Sequence, residues 1–318
     1  MSVNSNKPDR WKADINESVD FYNDWFMNFA PKAYRDTRIE STKQVQEALN
    51  RSANLTNVTP RVLQENPKML EMLRMATAPP IARDRLIGLA GVSKGLVVSM
   101  EVKGRISPQM TDAIVGVQLQ KISSLIMRLA DKDIFPWLET GAIPSEEEVH
   151  RAATIVADRL CGAQSDPIIR NAQEKRQLDS LKKWLEHRGY SYVETSKSKF
   201  NEMKPETFTF HLSIRVTLTG EKQINIPVDT VIMPKRAKTG SLPLMIEAKS
   251  AGDFTNPNKR RKEEATKISQ LQTTYGRSVR YILFLCGYFD SGYLGYEAAE
   301  GIDWVWEHRI DDLSEFGV

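Results

Sequence analysis

Asp229, Glu247 and Lys249 are charged residues set into otherwise apolar runs between residues 224 and 249. Residues 234–241 separate the runs and hold Pro, Lys, Arg, Thr, Gly and Ser, a composition that predicts a strand hairpin with a longer loop. Side chains alternate along a strand, so Glu247 and Lys249 share one face while Leu244, Ile246 and Ala248 share the other. On the first strand Asp229 opposes the side of Ile226, Val228 and Ile232. Two carboxylates and an ammonium then meet on one face of the hairpin. Paired carboxylates hold a hard divalent cation such as Mg2+ through oxygen and leave positions for water and a phosphate. The cation neutralises phosphate charge and lowers the pKa of its water, and a nearby lysine orients that water or stabilises the developing charge. The chemistry indicated is metal-dependent phosphodiester hydrolysis. A surface hairpin with a salt bridge carries the same short pattern, so the reading leans on context: both strands are apolar, and a basic helix follows.

That helix is predicted to open at Lys259-Arg260-Arg261-Lys262, with Ala265, Ile268, Leu271 and Tyr275 on its buried side. Four cations at a helix N-terminus oppose the helix dipole. They fit a polyanion lying there, because phosphates favour both the cations and the free backbone amides. Arginine reads guanine bidentately, whereas lysine acts on phosphate as a point charge. Arg260 or Arg261 is therefore expected to read a base, with Lys259 and Lys262 holding the DNA backbone. Asn256 and Asn258 could pair with adenine or cap the helix, and Asn258, directly before the expected first turn, suits the cap.

An earlier helix, about 168–188, carries Leu178, Leu181 and Leu185 at spacings of three and four and ends at Gly189. Glu174 lies four residues before Leu178 and is placed on the same inward stripe. An acid on an apolar face needs a partner. It is either one half of a structural ion pair or a third acid reaching the metal site.

The 318 residues suffice for two domains or one elaborated domain, and 41% hydrophobic with 27% charged residues is ordinary for a globular chain. A net charge of +3 permits nucleic-acid binding without demonstrating it. Cys161 and Cys286 lack metal-ligand spacing and read as free thiols in a reducing, cytoplasmic setting. No run approaches a membrane span. Residues 1–14 are polar and expected to fray. Phe21, Tyr22, Trp25, Phe26 and Phe29 then recur at helical spacing and read as packing rather than as a platform for bases. Capping patterns at Ser41–Gln44, Thr59-Pro60 and Ser145–Glu148 divide the first half into helices ending near 53, 75 and 160, with two more at 82–100 and 107–129. Residues 161–167 look like a break. Strands are expected at 190–194, 207–218, the Asp229 and Glu247 runs, and 281–286, with a late strand or helix near 301–309. Pro227 implies an edge position or bulge. His150, His187, His211 and His308 are scattered and read as core or surface residues. The division expected is a helical region at 1–163 and a catalytic core at 164–318.

This order of elements, with Pro227-Val228-Asp229 and Glu247-Ala248-Lys249, resembles the PD-(D/E)xK nuclease superfamily. The segments beginning at Ser18, Ala78, Arg170, Ile246 and Phe284 look more narrowly like the XamI/SalI family of type II restriction endonucleases, and the likeness runs nearly end to end. The resemblance implies an α+β or α/β fold, in which a helical N-terminal region precedes a mixed central sheet flanked by helices. It implies a homodimer that cleaves palindromic double-stranded DNA with Mg2+, at GTCGAC after the first G, beside a protective methyltransferase. By motif match Asp229 and Glu247 are the metal ligands and Lys249 orients water or stabilises charge; Glu174, carried over on its helix position alone, is an auxiliary acid. A repair or recombination nuclease of the same superfamily, or a non-catalytic DNA-binding module, shares parts of this pattern. The helical half is left with three possible uses: dimerisation, clasping DNA, or buttressing the core.

Overall fold

The structure is a computed structural model that describes residues 2–106, 108–218, 222–238 and 240–318, the side chains of 256–261 excepted. The helices are α1 (Pro8–Arg51), α2 (Pro60–Glu65), α3 (Met69–Met75), α4 (Arg83–Ala90), α5 (Lys94–Lys103), α6 (Asp112–Leu129), α7 (Trp137–Thr140), α8 (Glu146–His187), α9 (Thr255–Tyr275) and α10 (Ser291–Ala299). The strands are β1 (Ser191–Tyr192), β2 (Thr207–Thr217), β3 (Gln223–Met233), β4 (Leu244–Ala251), β5 (Arg280–Gly287) and β6 (Asp303–Trp306). Two compact units emerge, Ala30–Ile169 and Met1–Phe29 with Arg170–Val318.

The first unit is helical, around a core that includes Leu49, Leu70, Leu73, Leu96, Leu119 and Leu160. Two of the expected caps form. Thr59 accepts the Val62 amide, and Ser145 and Glu148 cap each other's backbone. The third does not: Ser41 lies inside α1 and donates to the Thr37 carbonyl at 2.9 Å, so it satisfies itself within a continuing helix. Nor does the chain break at 161–167. α8 runs through Pro167, with Leu160, Cys161 and Ser165 buried. A proline removes one backbone bond and disturbs one turn, a loss that packing on both sides can offset. The expected helix at 82–100 divides instead at Gly91, which takes a left-handed φ of +58°, and Ser93 caps α5 by accepting the Leu96 amide. The helix expected at 62–75 likewise divides, into α2 and α3.

The second unit holds a six-stranded mixed sheet in sequential order. β2, β3 and β4 are antiparallel, whereas β1–β2, β4–β5 and β5–β6 pair in parallel. A parallel pair needs a crossover, supplied here by α9 and α10. Met245, Leu283 and Leu285 pack with Ile268 and Leu271 of α9 on one face of the sheet. On the other, Leu244, Ile246 and Phe284 pack with Leu178, Leu181 and Leu185 of α8. The expected alternation on β4 therefore holds. The unit's N-terminal residues do not fray. The Asp303 carboxylate accepts the amides of Val3, Asn4 and Ser5, and Arg309 ties in Asp14 and Asn4. Only Ser191–Tyr192 of the strand expected at 190–194 pairs, and the late element is β6 followed by 3-10 turns.

The sheet changes face in the middle of β2. Phe208 and Phe210 join the α8-side cluster, but Leu212, Ile214 and Val216 join the α9-side cluster. A regular strand keeps residues of one parity on one face. The exception falls at His211, whose φ of +52° is left-handed. Such a conformation costs a non-glycine residue on the order of 1–3 kcal/mol. The flanking pairs Phe210–Thr230 and Leu212–Val228 set Asp229 directly opposite. β3 changes face at the same level, so Ile226 and Val228 cluster with Val231 and not with Ile232. The single side expected for Ile226, Val228 and Ile232 does not exist. Pairing of β3 with β4 is confined to Thr230–Ile232, which leaves Pro227 locally at an edge, as expected.

β5 ends at Gly287, with φ +98°, where an added Cβ would lie 2.1 Å from the Ala251 carbonyl oxygen of β4. Both the backbone conformation and the close approach demand glycine. Gly287→Ala is expected to destabilise the fold by more than about 1 kcal/mol, read as a lowered midpoint in urea unfolding. An unchanged midpoint would mean that the β4–β5 end can relax.

Candidate active site

Asp229 and Glu247 sit side by side where β3 and β4 stop pairing. The last paired residues are Thr230 and Ile246, and one step further the Asp229 carboxylate takes the Ala248 amide at 2.9 Å. A side chain thus replaces the next backbone bond of the ladder and fixes the carboxylate between the strands. Glu247, 6% exposed, faces α9 with Lys249, as strand alternation requires. α9 supplies two residues that sequence reading did not assign to the site. Lys267 donates to Glu247 Oε1 at 2.5 Å and to the Pro227 carbonyl at 3.4 Å. Glu264, 2% exposed, meets Lys249 Nζ at 2.6 Å, and Lys249 lies 3.5 Å from Glu247. The signal was present in the spacing: Glu264, Ile268 and Leu271 succeed each other at four and three, which puts the acid on the buried stripe.

The electrostatics derive from burial. Desolvation raises the Asp229 carboxyl above its ordinary range, against the Ala248 amide and the two lysines. Desolvation and the neighbouring Asp229 charge raise Glu247 in the same way. Burial pulls Lys249 down, but the charges of Glu247, Glu264 and Asp229 outweigh it, and the net shift is upward, so its ammonium stays protonated. Behind this pair lies Glu297 of α10, fully buried near Glu264 and Tyr293, with burial the main cause of a pKa raised to about 8.

The residues present fit a divalent cation. Asp229, Glu247 and Glu264 outnumber Lys249 and Lys267, and the buried Glu247 Oε2 has no hydrogen-bond partner among the described residues. An orphaned carboxylate oxygen next to a second raised carboxylate is a site that a cation would stabilise.

Glu174 is not on the buried stripe. Its side chain is 49% exposed, and the inward positions of that turn belong to Gln173 and Gln177. Gln177 donates to the carbonyls of Lys249 and Phe284 and so ties β4 to β5. Glu174 nevertheless reaches the site from its open side. Ligand atoms of Glu174, His211 and Asp229 all lie within 4.8 Å of one another. His211 was missed because nothing in the sequence marks the change of face that brings it opposite Asp229. The next inward cation, Arg176, pairs with the buried Glu307 at 2.8 Å and lies over the rings of Phe21 and Trp25. Tyr22 packs edge-on against Tyr288, so this part of the aromatic stripe serves packing, as expected.

α9 begins at Thr255, not at Lys259, and Asp253 accepts the Thr255 amide at 2.8 Å. Asn258 is therefore inside the first turns of the helix rather than at the position directly before it. Lys262 is exposed. The side chains of Asn256, Asn258, Lys259, Arg260 and Arg261 lie outside the described residues.

Glu297 gives the site a measurable pH dependence. A carboxyl whose folded pKa is raised binds its proton more tightly in the folded state than in the unfolded one, so stability falls as pH rises from about 4.5 to about 8. Glu297→Gln is expected to lessen that fall, the raised Asp229 and Glu247 carboxyls supplying the remainder, which urea unfolding from pH 5 to pH 9 checks. Parallel curves for the two proteins would show that Glu297 ionises normally.

Known proteins share this chain's sequence over most of its length. The XamI restriction endonuclease family matches residues 53–306. The type II restriction enzyme SalI of Streptomyces albus G is 53% identical over 316 residues, covering 99% of each chain. The type II restriction enzyme XamI of Xanthomonas campestris pv. amaranthicola is 26% identical over 199 residues, 61% of this chain and 63% of that enzyme. A crystal structure of a Vibrio cholerae protein aligns over 80% of this chain and 55% of its own at 11% identity, but a TM-score of 0.25 is too low to bear on the fold. The family match spans most of the chain and the SalI likeness nearly all of it, so the chain belongs to the XamI restriction endonuclease family.

Proposed function

We propose that this endonuclease hydrolyses double-stranded DNA with Mg2+ at the palindrome GTCGAC, after the first G, leaving 5′ overhangs with 5′-phosphate ends. The observation that carries the catalytic part is the buried grouping of Asp229, Glu247 and Lys249, with Glu247 Oε2 unpartnered among the described residues. The 53% identity to SalI supports the target. A palindromic target is met most simply by a two-fold symmetric homodimer, each protomer cutting one strand. A partner methyltransferase protecting the same site and a cytoplasmic location belong to the same reading. The helical region, residues 1–163, serves dimerisation, a DNA clasp, or support of the core at 164–318.

In this reading Asp229 and Glu247 hold the cation, which when bound neutralises charge on the phosphate and makes water a better nucleophile. Lys267 keeps the Glu247 carboxylate in place by holding one of its oxygens. Lys249, protonated and fixed by Glu264, donates to the attacking water or to the phosphate oxygen and does not act as the base. Glu174, on the open side, is the auxiliary acid. The first turns of α9 come after β4 by one short loop, and there Arg260 or Arg261 reads a G while Lys259 and Lys262 mainly hold the backbone, with Asn256 and Asn258 beside them on the DNA.

Digestion of plasmids with and without GTCGAC tests the function. Fixed fragments from the first and none from the second are expected; a smear from both, or no cleavage of either, would overturn it. Within the site, Asp229→Ala, Glu247→Ala and Lys249→Ala are each expected to lower the cleavage rate by roughly two orders of magnitude or more, with circular dichroism unchanged and DNA binding retained in Ca2+. A variant cutting at the parent rate would remove that residue from the site.

A further inference from the structure

His211 faces Asp229 from the neighbouring strand and Glu174 from across the open side of the site. Its Nε2 lies 3.9 Å from Glu174 Oε1, and one ligand atom from each of the three residues falls within 4.8 Å of the others. The three come from separate elements, β2, β3 and α8, and the side chains of Glu174 and His211 are about half exposed, open to an entering ion. Asp229 Oδ2 is engaged by the Ala248 amide. No other such group of His, Cys, Asp and Glu occurs among the described residues.

We propose that His211, Glu174 and Asp229 form a second cation position, distinct from the Asp229–Glu247 position and selective for a borderline transition ion of the class of Co2+ or Zn2+. The proposal rests on the reading of Asp229 as a metal ligand. One imidazole and two carboxylates make a mixed nitrogen–oxygen donor set. Mg2+ prefers all-oxygen octahedral surroundings and gives up its waters reluctantly, whereas imidazole suits the later first-row ions. Asp229 sits between the two positions, with Glu247 on the α9 side and His211 across the sheet pairing. The enzyme thereby holds one position of purely carboxylate character and one that a nitrogen ligand biases toward a different metal. A plain ion pair between His211 and Glu174 is the rival, and it makes no demand on metal identity.

The test uses the full-length protein stripped of metal and titrated with Co2+ or Mg2+ by calorimetry, with the visible spectrum of bound Co2+ as a second readout. His211→Asn removes the imidazole while keeping a residue that tolerates left-handed backbone; His211→Gly serves if the asparagine variant fails to fold. The parent is expected to bind Co2+ at least about tenfold more tightly than Mg2+, and the variant to lose that preference while Mg2+ affinity stays within about twofold. Protein labelled with 15N-histidine should show coupling of an imidazole nitrogen to bound Co2+. Unchanged Co2+ affinity and spectrum in the folded variants, or equal affinity of the parent for both ions, would overturn the proposal and leave the Asp229–Glu247 reading standing. A parent that binds neither ion would remove both.

Discussion

Everything at the Asp229–Glu247 end of the sheet depends on one constraint, that buried charge must be matched. Lys249 lies between Glu247 and Glu264, and Lys267 meets the same Glu247 oxygen, Oε1, that Lys249 faces. An isolated ion at this depth would neutralise itself or draw in water. Each of Glu247, Glu264, Lys249 and Lys267 has an oppositely charged neighbour within ion-pair range. The match is incomplete: acids exceed bases, and one Glu247 oxygen has no partner among the described residues. A site with a carboxylate surplus set in an apolar sheet is preorganised for a cation, and little need move when one arrives.

The geometry that makes this possible comes from two local departures from ideal strand structure. β3 and β4 stop pairing after Thr230 and Ile246, which frees the Ala248 amide to hold Asp229. β2 changes face at His211, which turns the sheet and presents Asp229 toward residues from both layers. Neither departure is a failure of folding; irregularity in a sheet commonly coincides with a functional position, where it re-aims a side chain.

Much of this was legible in the sequence. The Glu247/Lys249 face, the Leu178/Leu181/Leu185 stripe, the caps at Thr59 and Ser145, and the β4–α9–β5 crossover all derive from periodicity and capping chemistry, which are local. The misses have a common cause. Ser41 and Pro167 carry strong local signals for helix ends, yet α1 and α8 continue through them. Glu174 and Glu264 show the limit of spacing, which fixes direction around a helix but not what lies opposite. Glu174 sits where the apolar cover of α8 has run out, and Glu264 sits where that of α9 has not. His211 could not be found at all without the sheet, since its role depends on a residue eighteen positions along the chain on a neighbouring strand.

The Asp303 carboxylate that gathers the amides of Val3, Asn4 and Ser5 has a bearing on the order in which this chain can fold. It joins residues three hundred positions apart, and the sheet unit as a whole draws on Met1–Phe29 as well as Arg170–Val318. A ribosome adding about 5–20 residues per second needs roughly 15–60 seconds to reach β6 from the start of the chain. Until then the Asp303 contacts with Val3, Asn4 and Ser5 cannot form, and the unit that carries Asp229 and Glu247 is unfinished. A discontinuous unit closed by its distant segments therefore completes its fold only after β6 has been added, however early its first segment is made.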